Sequence, residues 1–172
     1  ILSDEKMKII KKELLKENSN IFTNYEEKRE EGENDSYICS LIRQDSVEEF
    51  IEHVNRYNIS PSSKISPSIF ETNPFLIDNK NTSLIEYSAF FGSIQIFQYF
   101  LINNVELTPS LWLYAIHSKN AEIIHLLEYN EVPPPKFTIN KKDEKSITNY
   151  EQCLIESIKC HHNDIADYIE NN

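Results

Sequence analysis

Apolar residues in this chain recur at helical rather than strand spacing. The stretch 82–101, Thr-Ser-Leu-Ile-Glu-Tyr-Ser-Ala-Phe-Phe-Gly-Ser-Ile-Gln-Ile-Phe-Gln-Tyr-Phe-Leu, shows this most clearly. It predicts two short helices joined by a tight turn at Gly92. The small pair Ser88-Ala89 lies just before the turn, and an apolar face of Ile94, Ile96, Phe97, Phe100 and Leu101 follows it. The pattern recurs at 111–127 without gaps, with Tyr114 on Tyr87, Ala115 on Ser88, Lys119 on Gly92 and Ile123-Ile124 on Ile96-Phe97. A third copy runs from Cys153 to Ile169, with Ser157 at the small position, His161-His162 at the turn and Ile165-Ala166 as the aliphatic pair. An upstream copy places its first helix at 37–42, its turn at Asp45-Ser46 and its second helix on Val47, Phe50, Ile51 and Val54. Ser46-Val47-Glu48-Glu49 fits a capping box and predicts a helix start at Ser46.

These elements imply an all-α fold. No segment sustains period-2 alternation, and the two glycines are too few for the turns of a sheet protein of this size. One helix pair of this length cannot bury its apolar face alone, so the pairs must stack.

The Thr82-Ser83-Leu84-Ile85 start, the Ser88-Ala89 pair, the Gly92 turn and the aliphatic second helix resemble an ankyrin repeat, whose pattern runs Thr-Pro-Leu-His, two alanines, a Gly turn and a second helix. The resemblance covers residues 35–171 and is to the divergent, Asn- and Ile-rich ankyrin proteins of trichomonad-type protists, which carry an ankyrin-like domain of unknown function. It implies a solenoid of stacked helix-turn-helix pairs that binds another protein through its concave face and performs no chemistry. The turns at 45, 92, 119 and 161 stand 47, 27 and 42 residues apart, whereas an ankyrin step is about 33. The short step leaves no room for the usual β-finger, and the long ones carry insertions.

The expected organisation is therefore an N-terminal amphipathic helix and charged cap at 1–34, then an array of about four helix pairs at 35–172, with insertions at 59–81 and 133–148. Residues 3–17 place Met7, Ile10, Leu14 and Leu15 on one helix side, as a cap over the first pair would. Residues 24–35 read as a solvated helix end running into a loop at Gly32. The insertion 59–81 carries Pro61, Pro67 and Pro74, yet also Ile65, Ile69, Phe70, Phe75, Leu76 and Ile77. It is expected to pack back onto the array with a short helix near 67–71. Pro133-Pro134-Pro135 opens an exposed loop.

The net charge of −11 argues against nucleic acid or an anionic membrane surface as partner, and no basic stripe offsets it. No apolar run approaches the roughly 18 residues of a membrane span. Three cysteines, Cys39, Cys153 and Cys160, suit a reducing cytoplasmic or nuclear setting better than a disulfide scaffold.

Candidate chemistry is sparse. Cys160-His161-His162, with Cys153 seven residues earlier, offers an alternative reading as a metal- or thiol-dependent regulator or enzyme. Zinc sites usually show a second ligand pair, which is lacking, and the ankyrin pattern puts both histidines at a turn and Cys153 in the core. No metal, cofactor or catalytic residue is therefore expected. The resemblance implies that residues before each turn line the docking face: Ser40, Arg43 and Gln44; Tyr87, Phe90 and Phe91; Tyr114, His117 and Ser118; Glu156, Lys159 and Cys160. Tyr87, Phe90, Phe91, Tyr114 and His117 are the expected partner anchors, because aromatic side chains carry binding energy well.

Overall fold

The computed structural model describes residues 25–135 and 150–171, which form ten helices and no strand. The proposed helix at 3–17 and most of the 133–148 insertion lie outside the described residues. Among the described residues, β pairing is limited to one isolated antiparallel bridge between Lys64 and Ser83. No described helix is long and apolar enough to cross a membrane.

The described residues fall into two units. The smaller comprises 25–35 and 67–80. Its first helix, α1 (Tyr25–Glu31), buries no residue and stops at Gly32, whose φ of +68° is the left-handed conformation that favours glycine. The Gly32 carbonyl accepts both the Thr72 backbone N–H at 2.9 Å and the Thr72 hydroxyl at 2.8 Å. Lys28 pairs with Asp35 at 2.9 Å, Ser68 donates to the other Asp35 oxygen at 2.8 Å, and the Tyr25 and Phe70 rings meet edge-on. The insertion thus contributes 67–80 to this unit, and its helix is α4 (Pro74–Asp78), not a helix near 67–71. The cause is local. Pro74 holds the first helical position, the Asn73 side chain accepts the N–H groups of Phe75 and Leu76, and the residue before a proline avoids helical geometry.

The larger unit is a succession of helical hairpins. The named helices are α2 (Tyr37–Arg43) with α3 (Val47–Tyr57), α5 (Leu84–Phe91) with α6 (Ile94–Ile102), α7 (Leu111–Ser118) with α8 (Ala121–Tyr129), and α9 (Glu151–Lys159) with α10 (Asn163–Asn171). Within each hairpin the two helices pack together. Between hairpins, α2 packs on α5, α5 on α7 and α7 on α9, while α3 packs on α6 and α6 on α8. The first helices therefore form one row and α3, α6 and α8 another, which α10 joins through the Tyr168 hydroxyl, donated to Glu128 of α8 at 2.7 Å.

Each hairpin turns through a left-handed residue: Asp45 (φ +50°), Gly92 (+69°), Lys119 (+57°) and His161 (+57°). A second left-handed position closes three of the second helices, at Asn58, Asn104 and Glu131. There the following apolar residue returns its N–H to the helix, Ile59 to Val54, Val105 to Phe100 and Val132 to Leu127, which satisfies carbonyls that a helix end would leave orphaned.

The core follows the predicted register. Leu41, Ser88, Ala115 and Ser157, four residues before each turn, are buried, and the hydroxyls of Ser88 and Ser157 donate to backbone carbonyls in the preceding turn of their own helices. Phe50, Ile96, Phe97, Phe100, Ile123 and Leu127 are each fully buried between the rows; truncating one such phenylalanine costs about 3–5 kcal/mol. Ser46 occupies the expected helix start but makes no side-chain cap. The capping box forms instead at Ser83 and Glu86. Glu86 also accepts the Ser110 hydroxyl at 2.7 Å, which ties the start of α5 to that of α7.

Candidate functional site

Side chains one, two and five places before the turns fall on the row of first helices, and several of them connect into one seam. Arg43 donates to the Tyr87 hydroxyl at 3.0 Å, and its guanidinium lies 6.0 Å from the Phe91 ring centroid. Phe91 contacts the Tyr87 and Phe90 rings at 4.7 and 5.0 Å, and Phe90 stacks on His117 at 5.0 Å with planes 26° apart. His117 Nε2 lies 3.0 Å from Glu156 Oε1, and the other Glu156 oxygen accepts Lys159 Nζ at 3.0 Å. The Cys160 Sγ stands 3.5 and 3.6 Å from the two His117 ring nitrogens. The seam thus runs unbroken from α2 through α5 and α7 to α9.

Three of the five expected anchors are not available on this surface. Tyr87 is 0% exposed, Tyr114 4% and Phe90 8%. Each is consumed by packing: Tyr87 under Arg43, Tyr114 with its hydroxyl 3.0 Å from buried Thr82 Oγ1, and Phe90 under His117. Aromatic character at the right register signalled a contact, but the contact is between neighbouring hairpins. Phe91 and His117 remain partly exposed, flanked by exposed Gln44 and Lys159. Ser118 donates to the Ala115 carbonyl and accepts the Asn120 N–H, so the turn itself uses its hydroxyl.

The Cys160-His161-His162 grouping does not converge. His161 is the exposed left-handed turn residue. His162 is buried, and its Nδ1–H donates to the Ile116 carbonyl at 2.8 Å, since a carbonyl can only accept. It repeats what Ser93 and Asn120 do one place after their own turns, where they donate to the carbonyls of Ile42 and Gly92 in the preceding hairpin. Cys160 faces His117 and Glu156 instead. That convergence is invisible at sequence level because 43 residues separate Cys160 from His117; only the repeat register, which put all three on one face, pointed to it.

Burial pushes the His117 pKa down against the opposing pull of Glu156, which leaves the imidazole neutral at pH 7. A neutral ring donating from Nε2 to the Glu156 carboxylate keeps its lone pair on Nδ1. Burial, then the Glu156 charge, pushes the Cys160 thiol up. Cys160 also sits at the C-terminal end of α9, where the helix dipole disfavours a thiolate. Its sulfur is nearly equidistant from both ring nitrogens, whereas an in-line bond to one would leave the other distinctly farther. The thiol is therefore not activated as a nucleophile. The three groups could, however, share an ion.

No protein-family model, curated protein or solved structure matches this chain.

Proposed function

We propose that this chain is a non-enzymatic protein-binding array of the ankyrin type, acting in the cytoplasm or nucleus. The observation that carries the reading is the recurrence of a left-handed residue at Asp45, Gly92, Lys119 and His161, each between a first helix in one row and a second helix in the other. That repetition builds a surface from successive hairpins, which is how helical repeat proteins present extended binding faces. The unactivated Cys160 thiol favours the same reading over a thiol-dependent enzyme. The partner is another protein, since the acidic chain repels nucleic acid and anionic lipid. Docking falls on the seam, with the partly exposed Phe91 and His117 as its aromatic anchors and Gln44 and Lys159 at its rim.

The test is affinity capture with the full chain, comparing wild type with Phe91→Lys and Gln44→Glu. Retention of a protein by wild type, its loss in Phe91→Lys and an unchanged melting temperature would support the seam. A partner retained equally by both variants would move docking elsewhere. Binding that falls only in proportion to unfolding would remove the seam from recognition altogether.

A further inference from the structure

We propose that His117, Glu156 and Cys160 form a zinc-class divalent metal site that staples α9 to α7 and leaves one coordination position open. Their ligand atoms, one nitrogen, one carboxylate oxygen and one sulfur, all lie within 4.8 Å of one another. Tetrahedral zinc, with Zn–S of about 2.3 Å and Zn–N of about 2.0–2.1 Å, separates sulfur from nitrogen by about 3.5 Å. Cys160 Sγ already stands 3.5 and 3.6 Å from the His117 nitrogens. The same geometry requires about 3.4 Å between nitrogen and oxygen, against the 3.0 Å hydrogen bond from His117 Nε2 to Glu156 Oε1. Replacing the shared proton by an ion therefore asks for a separation of a few tenths of an ångström and a change in ring pitch that aims one nitrogen at the ion.

The donor set selects the ion class. Calcium and magnesium prefer all-oxygen shells, whereas a thiolate, an imidazole and a carboxylate suit zinc and its borderline neighbours. Binding through Nε2 would shift the ring proton to Nδ1 and convert Cys160 S–H to a metal-bound thiolate, with a net release of one proton to solvent. Thiolate and carboxylate together balance the two charges of the ion. Two supporting contacts are already in place: Lys159 holds Glu156 Oε2 and leaves Oε1 to the ion, and the His162 bond to the Ile116 carbonyl fixes the turn between α9 and α10 against the end of α7. Three protein ligands leave a fourth position for water or for a donor from a bound protein. The site does not depend on where a partner docks.

Cobalt(II) titrated into the metal-free full chain is the direct test, with zinc as competitor. Expected are one equivalent bound, intense tetrahedral visible bands with a thiolate-to-cobalt charge-transfer band, displacement of both by zinc, and a zinc-dependent rise in melting temperature. Cys160→Ser should abolish the charge-transfer band. Glu156→Gln and His117→Ala should weaken binding by more than the roughly 10–100-fold that losing a mere supporting contact costs, while His161→Ala should leave it unchanged. Far-UV circular dichroism checks that each variant is folded, and Glu156→Gln alone suffices if the other two are not. Absence of stoichiometric uptake, a charge-transfer band that survives in Cys160→Ser, or unchanged affinity in Glu156→Gln would overturn the site.

Discussion

The Asp45 carboxylate in one hairpin accepts the backbone N–H of Ile96 in the next at 3.0 Å, across 51 residues of sequence. Its other oxygen takes the Gln95 N–H, also at 3.0 Å. A turn residue of the first hairpin thus caps the second helix of its neighbour, with an anion placed at a positive helix end. Asp45 is also left-handed, which costs a non-glycine residue about 1–2 kcal/mol. The two effects oppose each other at one residue, so substitutions separate them. Asp45→Ala loses the cap and keeps the strain, and is expected to destabilise by about 1–2 kcal/mol. Asp45→Asn keeps an acceptor oxygen and tolerates the conformation, so it should lose less than half as much. Asp45→Gly relieves the strain while losing the cap, and should fall near wild type. Urea midpoints would reveal the order; equal losses for alanine and glycine would mean that the backbone conformation carries no strain.

Lys119 isolates the strain alone, since its side chain is exposed and caps nothing in the next hairpin. Lys119→Gly should raise stability by about 0.5–1 kcal/mol, the left-handed cost less the added entropy of the unfolded chain. Gly92→Val should do the reverse and more. Gly92 combines φ +69° with a Cβ position only 3.1 Å from Asn120 Cβ, so a side chain there meets both backbone strain and the next hairpin. A Lys119→Gly melting temperature at or below wild type would contradict this account.

The four left-handed turns were legible in the sequence because register transfers them from the glycine copy to Asp45, Lys119 and His161, none of which advertises a positive φ by itself. The second set, at Asn58, Asn104 and Glu131, was missed, although the Asn58-Ile59 and Asn104-Val105 pairs carry the signal of a polar left-handed residue followed by an apolar one. The motif at Ser46 marks the helix start correctly but forms no capping box, because the pattern is common and only tertiary context distinguishes it from the one that closes at Ser83 and Glu86. The seam's composition was legible, but its exposure was not. Whether Tyr87 or Phe91 reaches solvent depends on the size of the neighbours one hairpin away, and no pattern within a single repeat encodes that.

Tyr114 makes one such buried position measurable. Burial pushes its phenol from the ordinary 10 up to about 12, helped by the nearby Glu86 charge and opposed by the Thr82 hydrogen bond. A raised folded-state pKa means that the unfolded chain releases the proton first. The contribution of Tyr114 to stability is therefore complete below pH 10 and disappears as pH climbs from 10 towards 12. Tyr114→Phe should flatten the fall of the denaturation midpoint in that window. The tyrosinate absorbance difference between wild type and variant should titrate near 12. A difference that titrates near 10 would show that the hydroxyl reaches water.

The last hairpin offers the sharpest check on stacking. Ile116 is 0% exposed, and its carbonyl accepts the His162 ring N–H at 2.8 Å, so α7 is closed on that side by the hairpin of α9 and α10. Removing 150–172 would uncover Ile116 and strip the His162 bond from that carbonyl. It would also remove Tyr168, whose hydroxyl donates to Glu128 at 2.7 Å. Hairpins in such an array are held chiefly by their neighbours, so the loss should propagate through α8 and α7 and stop at the Phe50, Phe97 and Phe100 core of the preceding pairs. Hydrogen exchange on the truncated chain should show protection lost across 111–129 and retained in α5 and α6, together with a tendency to aggregate. If amides 111–129 stay protected in a monomeric truncated chain, the third hairpin is self-sufficient, and α9 with α10 is an appendage rather than a repeat.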